Sequence, residues 1–312
     1  MTDALDLRRA MAADARLSEW IAPDGWRHRR FDWPHPDSRG RILVQGGRAD
    51  IIEKFLETIA HLHARRWSVT AFDWRGQGGS GRLAADTRVG HAASFDPWVA
   101  DLGAFWRDWR AEGQGSGPAA LLGHSMGGHL ALRAMLGGGI YPDAAILVAP
   151  MIGIRSPVGN RLGSGLARLM ARIGDPARPA WKVRQDARSA GHRQQLLTHS
   201  AERYGDEAFW YARDPSLLLG PPSWAWVAEA FASSARLQRD PRLATLAVPI
   251  LMLVADADGL VDSRAAIELA ARLPNVRLER FGAESAHEIL REDDAVRLRA
   301  YALIDDFLEA HA

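Results

Sequence analysis

Short apolar runs alternate along most of this chain with stretches of helical periodicity, and that alternation leaves few architectures open. Residues 41–44 read as a strand that stops at Gln45-Gly46-Gly47. Residues 50–65 carry Ile51, Ile52, Phe55, Ile59 and Leu62 near one helical face. Strand-like 67–74 follows, then a helix over 95–112 broken by the glycine-rich 113–118. Strand 119–122, helix 126–136 and strand 144–149 continue the rhythm, and 249–255, 263–273, 276–281 and 292–309 repeat it near the C-terminus. A strand that is apolar along its whole length is buried on both faces. The pattern therefore predicts an α/β fold, a mostly parallel central sheet with helices on both faces.

One interval breaks the rhythm. Between about 151 and 240 there is no apolar strand, and helical segments, glycines and tryptophans take its place. The expected organisation is a core made of 1–150 and 241–312, with 151–240 as an inserted helical cap. The interval is electrically distinct as well. Residues 155–193 hold nine Lys or Arg against Asp175 and Asp186, or 9 − 2 = +7, while the whole chain carries 39 − 38 = +1. Leu162, Leu166, Leu169, Met170 and Ile173 lie at helical spacing among Arg161, Arg168 and Arg172. Such a helix suits an anionic lipid surface or an amphiphilic substrate; the plainer alternative is a cap helix packed on the body with a solvated basic side.

Composition removes several classes of function. Cysteine is absent, so disulfides, thiolate metal sites, Fe–S clusters and a cysteine nucleophile are excluded. A net charge near zero gives no sign of nucleic-acid binding. Asp3, Asp6, Arg8, Arg9, Asp14 and Arg16 interrupt any apolar core of a secretory signal. The longest apolar runs, such as 246–255, are about half a membrane span. The expectation is a soluble, cytoplasmic protein with peripheral contact to the inner face of a membrane through the basic cap. The sequence does not set an oligomeric state.

Gly123-His124-Ser125-Met126-Gly127 fits GxSxG and lies between a strand and a helix, where that motif has mechanical meaning. The tight turn strains the serine backbone, and the flanking glycines remove side chains that would collide. The hydroxyl then stands at a helix N-terminus, where backbone N–H groups favour developing negative charge. A serine hydroxyl is a weak nucleophile and needs a base held by an acid. Of the eleven histidines, only His287 follows the last strand and precedes the last helix. Asp256, Asp258 and Asp262 share the loop after the preceding strand; Asp262 has the position of a helix cap, which leaves Asp256 and Asp258 as candidate acids.

Other motifs fail on inspection. Gly76-x-Gly78-x-x-Gly81 follows a strand, but no helix starts in the loop, so a dinucleotide site is not expected. His61 and His63 are two apart in a helix and point to different faces. His287-Glu288 lacks the second histidine of HExxH, and there is no P-loop. No cofactor and no metal are expected.

With these loops in hand, the chain resembles the α/β-hydrolases, and most of all the branch holding monoacylglycerol lipases and bacterial lysophospholipases. Gly47-Arg48 followed by Ile52-Glu53-Lys54-Phe55 resembles the oxyanion loop and first helix of the lysophospholipase-like members, although Gly46 stands where the family often has histidine. Asp73-Trp74-Arg75-Gly76-Gln77-Gly78-Gly79-Ser80 matches the D-x-R-G-x-G-x-S loop, in which Asp73 and Arg75 are expected to tie neighbouring backbone together. Asp258-Gly259-Leu260-Val261 matches the acid loop and selects Asp258 over Asp256. His287-Glu288-Ile289-Leu290 resembles the segment around the base. The resemblance implies an oxyanion hole from the backbone N–H groups of Arg48 and Met126, with Gly47 as the alternative to Arg48. It also implies a Ser125–His287–Asp258 triad acting through an acyl-enzyme on a small-molecule ester or monoacyl lipid, a lysophospholipid or monoacylglycerol. A short-chain or xenobiotic carboxylesterase would use the same residues. A non-catalytic ligand-binding protein on the same scaffold could have lost any of them. Twelve tryptophans remain to be explained. Trp210, Trp224 and Trp226 fall in the cap and form a candidate aromatic wall for an acyl chain; the plainer reading is packing.

Overall fold

The apolar runs pair edge to edge in one eight-stranded sheet of order β1-β2-β4-β3-β5-β6-β7-β8. The strands are β1 Arg16–Ile21, β2 Arg27–Trp33, β3 Gly40–Gln45, β4 Trp67–Phe72, β5 Ala119–His124, β6 Ala144–Val148, β7 Ile250–Ala255 and β8 Val276–Phe281. The computed structural model describes residues 4–113, 117–182 and 187–312. Residues 114–116 of the glycine-rich break, and Arg184 and Asp186 of the basic interval, lie outside the described residues. From β3 to β8 every pairing is parallel. β1 and β2 add an antiparallel hairpin at one edge, which the sequence pattern did not announce. Only Trp20 is buried along β1, while Leu17 and Ile21 face outward among charged neighbours, so no apolar run marks the strand.

The period of two divides each central strand between two cores. Ile42, Val44, Leu122, Ile146, Leu251 and Leu253 pack on one face with Ile59 and Leu62 of α2 (Leu56–Ala64) and Ile304 and Phe307 of α10 (Asp294–His311). Leu43, Leu121, Leu147 and Met252 pack on the other. Their partners there are Leu102 and Phe105 of α3 (Asp96–Glu112), Leu130 of α4 (Met126–Leu136) and Leu269 of α9 (Ser263–Ala270). Both faces are apolar because both are covered. The expected helix over 50–65 begins instead as a 3-10 turn, Ile52–Phe55, before α2.

Between β6 and β7 the described residues form α5 (Asn160–Arg172), α6 (Ala187–Leu197), α7 (Ala201–Arg213), a 3-10 turn and α8 (Trp224–Arg239). Among the described residues, sheet-type pairing in this interval is limited to isolated bridges, such as Ile154 with Val261. A single N-terminal helix, α1 (Ala4–Arg9), lies against α2 and α7.

Parallel strands deliver their carboxyl ends to one edge of the sheet, where α/β proteins place ligands. The loops after β3, β5, β7 and β8 therefore meet. The sharpest of them is the turn from β5 into α4. Ser125 sits there at φ 52°, ψ −116°, a left-handed backbone that an L-residue adopts only when its surroundings impose it. The turn closes because Gly123 and Gly127 lack side chains. A Cβ on Gly123 would fall 2.8 Å from the Gly128 nitrogen, and one on Gly127 would fall 2.5 Å from the Gly46 carbonyl oxygen. These are backbone neighbours that cannot step aside. Gly127→Ala is expected to destabilise the fold by about 1–3 kcal/mol, the usual cost of overpacking. A urea midpoint equal to that of the parent, at unchanged slope, would contradict this close packing.

Candidate active site

Asp258 and His287, read separately from the loops after β7 and β8, are in contact. The His287 Nδ1–H donates to Asp258 Oδ2 at 2.6 Å. The other carboxylate oxygen, Oδ1, accepts the backbone N–H groups of Leu260 at 2.7 Å and Val261 at 2.9 Å. Asp258 thus has both oxygens committed and its side chain fully buried. Burial alone would raise its pKa, but the His287 charge, the hydrogen bond to His287 and the two N–H donors together hold it below the ordinary aspartate value. Burial likewise pulls His287 down, and the charge and hydrogen bond of Asp258 reverse the sign, so its pKa lies above 6.5. Asp256 is elsewhere engaged: its carboxylate forms a bidentate pair with Arg280 at the surface, 2.9 and 2.8 Å. Asp262 accepts the Ala265 N–H at the start of α9, as a cap does.

His287 lies over the elbow. Its ring is 4.9 Å, centroid to centroid, from that of His124, the residue before Ser125. Ser125 and His287 are both nearly closed off, 9% and 4% exposed. The insertion supplies part of that cover, since Leu196 and Leu197 at the end of α6 accept the backbone N–H groups of His287 and Glu288.

The loop after β3 approaches Ser125 from the other side. A Cβ on Gly47 would fall 2.9 Å from that of Ser125. The Gly47 N–H is already committed, donating to Asp50 Oδ2 at 2.6 Å. Ala49, at φ 62°, donates its N–H to Gln77 Oε1, and the Trp74 indole donates to the Gly46 carbonyl. No acceptor is assigned to the Arg48 N–H among the described residues, and Met126 is the first residue of α4, where N–H groups have no carbonyl partner within the helix. Asp73 does tie backbone, accepting from Ile52 N and Gly79 N. Arg75 departs from expectation: its guanidinium pairs with the Asp101 and Asp24 carboxylates.

Beneath these loops lies a buried ionic cluster that the sequence reading missed. The Lys54 ammonium contacts Asp50 Oδ1 at 2.5 Å, Glu288 Oε1 at 2.7 Å and Glu207 Oε1 at 2.8 Å. Asp50 uses its other oxygen for Gly47 N–H and for His124 Nδ1–H. Glu288 also holds Arg291, and Glu207 holds Arg193. Burial opposes the charge on Lys54, yet the carboxylates raise its pKa above the ordinary lysine value; for Glu207 burial is likewise overcome, by Lys54, Arg193 and Arg291, to about 2. The available signal was a lysine set among Ile51, Ile52 and Phe55, four residues after an aspartate.

Trp210, Trp224 and Trp226 do not share one wall. Trp210 donates its indole N–H to the Arg8 carbonyl, against α1. Trp224 is half-buried at the start of α8. Trp226 is buried, 5.5 Å from the Arg48 guanidinium carbon and 5.6 Å from the Phe95 ring.

Residues 36–294 match the family model Hydrolase_4, described as serine aminopeptidase, S33. The chain belongs to this family. Lysophospholipase L2 of Escherichia coli strain K12 is 31% identical over 299 residues, spanning 90% of this chain and 83% of that protein. A probable lysophospholipase L2 of Haemophilus influenzae is 27% identical over 91% of this chain and 88% of its own length. Among solved structures, a soluble variant of monoglyceride lipase from Saccharomyces cerevisiae superposes with a TM-score of 0.78, at 18% identity over 97% of each chain. The monoacylglycerol lipase of Paleococcus ferrophilus gives 0.69 at 20% identity, covering 91% of this chain and 98% of that one. These likenesses establish the α/β-hydrolase fold for this Hydrolase_4 member.

If His287 is the general base it must be neutral to accept a proton, so its raised pKa sets the acid limb of activity at higher pH than an ordinary histidine would. Asp258→Asn removes the charge that raises it and leaves the burial that lowers it. The acid limb of kcat/KM is expected to move to lower pH, while kcat falls by roughly 10³–10⁴-fold. An unmoved limb in the pH profile would separate Asp258 from His287.

Proposed function

We propose that this chain is a serine hydrolase that cleaves the carboxylic ester of monoacyl lipids, lysophospholipids or monoacylglycerols. The Asp258–His287 hydrogen bond beside a strained serine elbow carries the proposal. Similarity to the lysophospholipase L2 proteins supports the choice of substrate.

Ser125 Oγ attacks the ester carbonyl while His287 Nε2 takes its proton. Asp258 holds the imidazole in the tautomer that leaves Nε2 free and stabilises the imidazolium that forms. The tetrahedral intermediate places negative charge on the former carbonyl oxygen, which the N–H groups of Arg48 and Met126 receive. Such a donor typically contributes about 3 kcal/mol to the transition state. His287 returns the proton to the leaving alcohol, then activates water to release the fatty acid from Ser125. The loop that carries the Arg48 N–H is held by Asp50, Trp74 and Gln77. Residues 151–240 act as the cap over this centre.

The outer helix of that cap supports contact with a lipid surface. Gly163 and Ala167 are the buried residues of α5, while Leu162, Leu166, Leu169 and Ile173 are exposed. Arg161, Arg168 and Arg172 lie among them. An apolar stripe set among arginines fits the boundary of an anionic bilayer. No helix among the described residues is long and apolar enough to cross a membrane, so the contact proposed is peripheral.

Fatty acid should be released from a lysophospholipid dispersion by the parent protein and not by Ser125→Ala. Release by that folded variant would remove Ser125 from the mechanism. In a second experiment, paired Leu162→Ser and Leu166→Ser substitutions should reduce co-sedimentation with phosphatidylglycerol-containing vesicles at least several-fold. Undiminished binding would place any lipid contact elsewhere.

A further inference from the structure

Among the described residues, two buried hydrogen-bond donors beside the loop after β3 have no acceptor. The Arg48 side chain leaves that loop and runs beneath the segment joining α7 to α8. Its Nη2 donates to the Gly220 carbonyl, and its guanidinium carbon stands 5.5 Å from the Trp226 ring. Gly90 closes the site from the core side, where a Cβ would fall 2.9 Å from Nη2. The surround is a fixed frame: Gly220 N–H donates to the Arg88 carbonyl at 2.7 Å, and Ser223 N–H to the Gly90 carbonyl at 3.0 Å. Within it, Arg48 Nε and Trp226 Nε1 are both buried and unpartnered. No carboxylate forms an ion pair with Arg48 among the described residues. Burial, with the nearby charge of Arg193, lowers its pKa to about 10, which leaves it cationic at neutral pH.

Buried N–H groups are nearly always paired, and a buried cation ordinarily has an anion beside it. Here both unpaired groups are donors only, and one bears a positive charge. The complement is an anion with several acceptor oxygens and no proton to give. Guanidinium groups suit phosphate in this way.

We propose that Arg48 and Trp226 form the phosphate site of a lysophospholipid whose acyl ester lies at Ser125. The inference rests on the ester-hydrolase reading above. Its reach is chemically consistent. The path from the Arg48 backbone nitrogen to its guanidinium carbon is roughly six bonds, or about 7 Å extended. The path from the ester carbonyl carbon of a 1-acyl lysophospholipid to its phosphorus is the same. One residue therefore spans the reacting carbonyl, through its main-chain N–H, and the headgroup, through its side chain. Monoacylglycerol, which has the same ester and no phosphate, uses only the first.

The test compares 1-lauroyl-lysophosphatidylcholine with 1-monolaurin, both kept in monomeric solution. The kcat/KM ratio of the first to the second should fall at least tenfold in Arg48→Gln and several-fold in Trp226→Phe, with partial recovery in Arg48→Lys. Glycerophosphocholine should compete with monolaurin in the parent, and at least tenfold more weakly in Arg48→Gln. An unchanged ratio with undiminished competition would overturn the proposal and assign the two donors to water. Absence of competition by glycerophosphocholine in the parent would overturn it as well. If Arg48→Gln does not fold, Trp226→Phe and the competition in the parent decide. If the parent cleaves neither ester and a fluorophosphonate does not label Ser125, the hydrolase reading fails instead; calorimetric titration with glycerophosphocholine then still decides the phosphate site.

Discussion

One ammonium group holds the candidate site together. Lys54 brings Asp50, Glu207 and Glu288 onto a single buried point, and each carboxylate belongs to a different part of the chain. Asp50 fixes the loop after β3 and the His124 ring, Glu288 follows His287, and Glu207 comes from α7. Arg193 and Arg291 share the negative charge. Desolvating so many charges is expensive, and removing one partner from such a cluster commonly costs about 3–5 kcal/mol. The cluster's value here is geometric. It specifies how the loops after β3 and β8 sit relative to one another, where an apolar contact of equal area would allow sliding. It also commits Asp50 Oδ2 to the Gly47 N–H, which removes Gly47 as a free donor, while the Arg48 N–H has no acceptor among the described residues.

What could be read from the sequence follows from the range of each interaction. The strands from β3 to β8 are legible because both their faces are buried, so each is an unbroken apolar run. The elbow is legible because its backbone conformation demands glycines at fixed offsets from Ser125. Asp258 needed the match to the acid loop, since Asp256 lies two residues away in the same turn; in space Asp256 pairs with Arg280 and Asp258 with His287. The β1–β2 hairpin was not legible, because a half-exposed edge strand such as Arg16–Ile21 looks like a loop. Lys54, Glu207 and Glu288 are far apart along the chain, and no local pattern says that three carboxylates share one lysine. The cap tryptophans were grouped by proximity in sequence, but Trp210 and Trp226 sit on different helices that face different neighbours.

Helix α5 shows a related limit. Its apolar stripe is evident from spacing, and spacing alone does not say which face turns inward. The small residues decide it: Gly163 and Ala167 allow close approach to α8, and the leucines are displaced outward. A helix that buries its smallest side chains and exposes its largest ones is the observation behind the lipid contact proposed for it.

The oxyanion donors proposed here are main-chain groups, and substitution at position 48 does not delete the one that residue contributes. The side chain at that position is free to answer a different selective demand. On the two proposals together, chemistry and preference at this loop are carried by separate atoms of one residue. A lineage built on such a loop can change what it prefers to cleave in a single substitution and keep the catalytic donor while doing so. A donor supplied by a side chain would give no such freedom, because every change of preference would also be a change of rate.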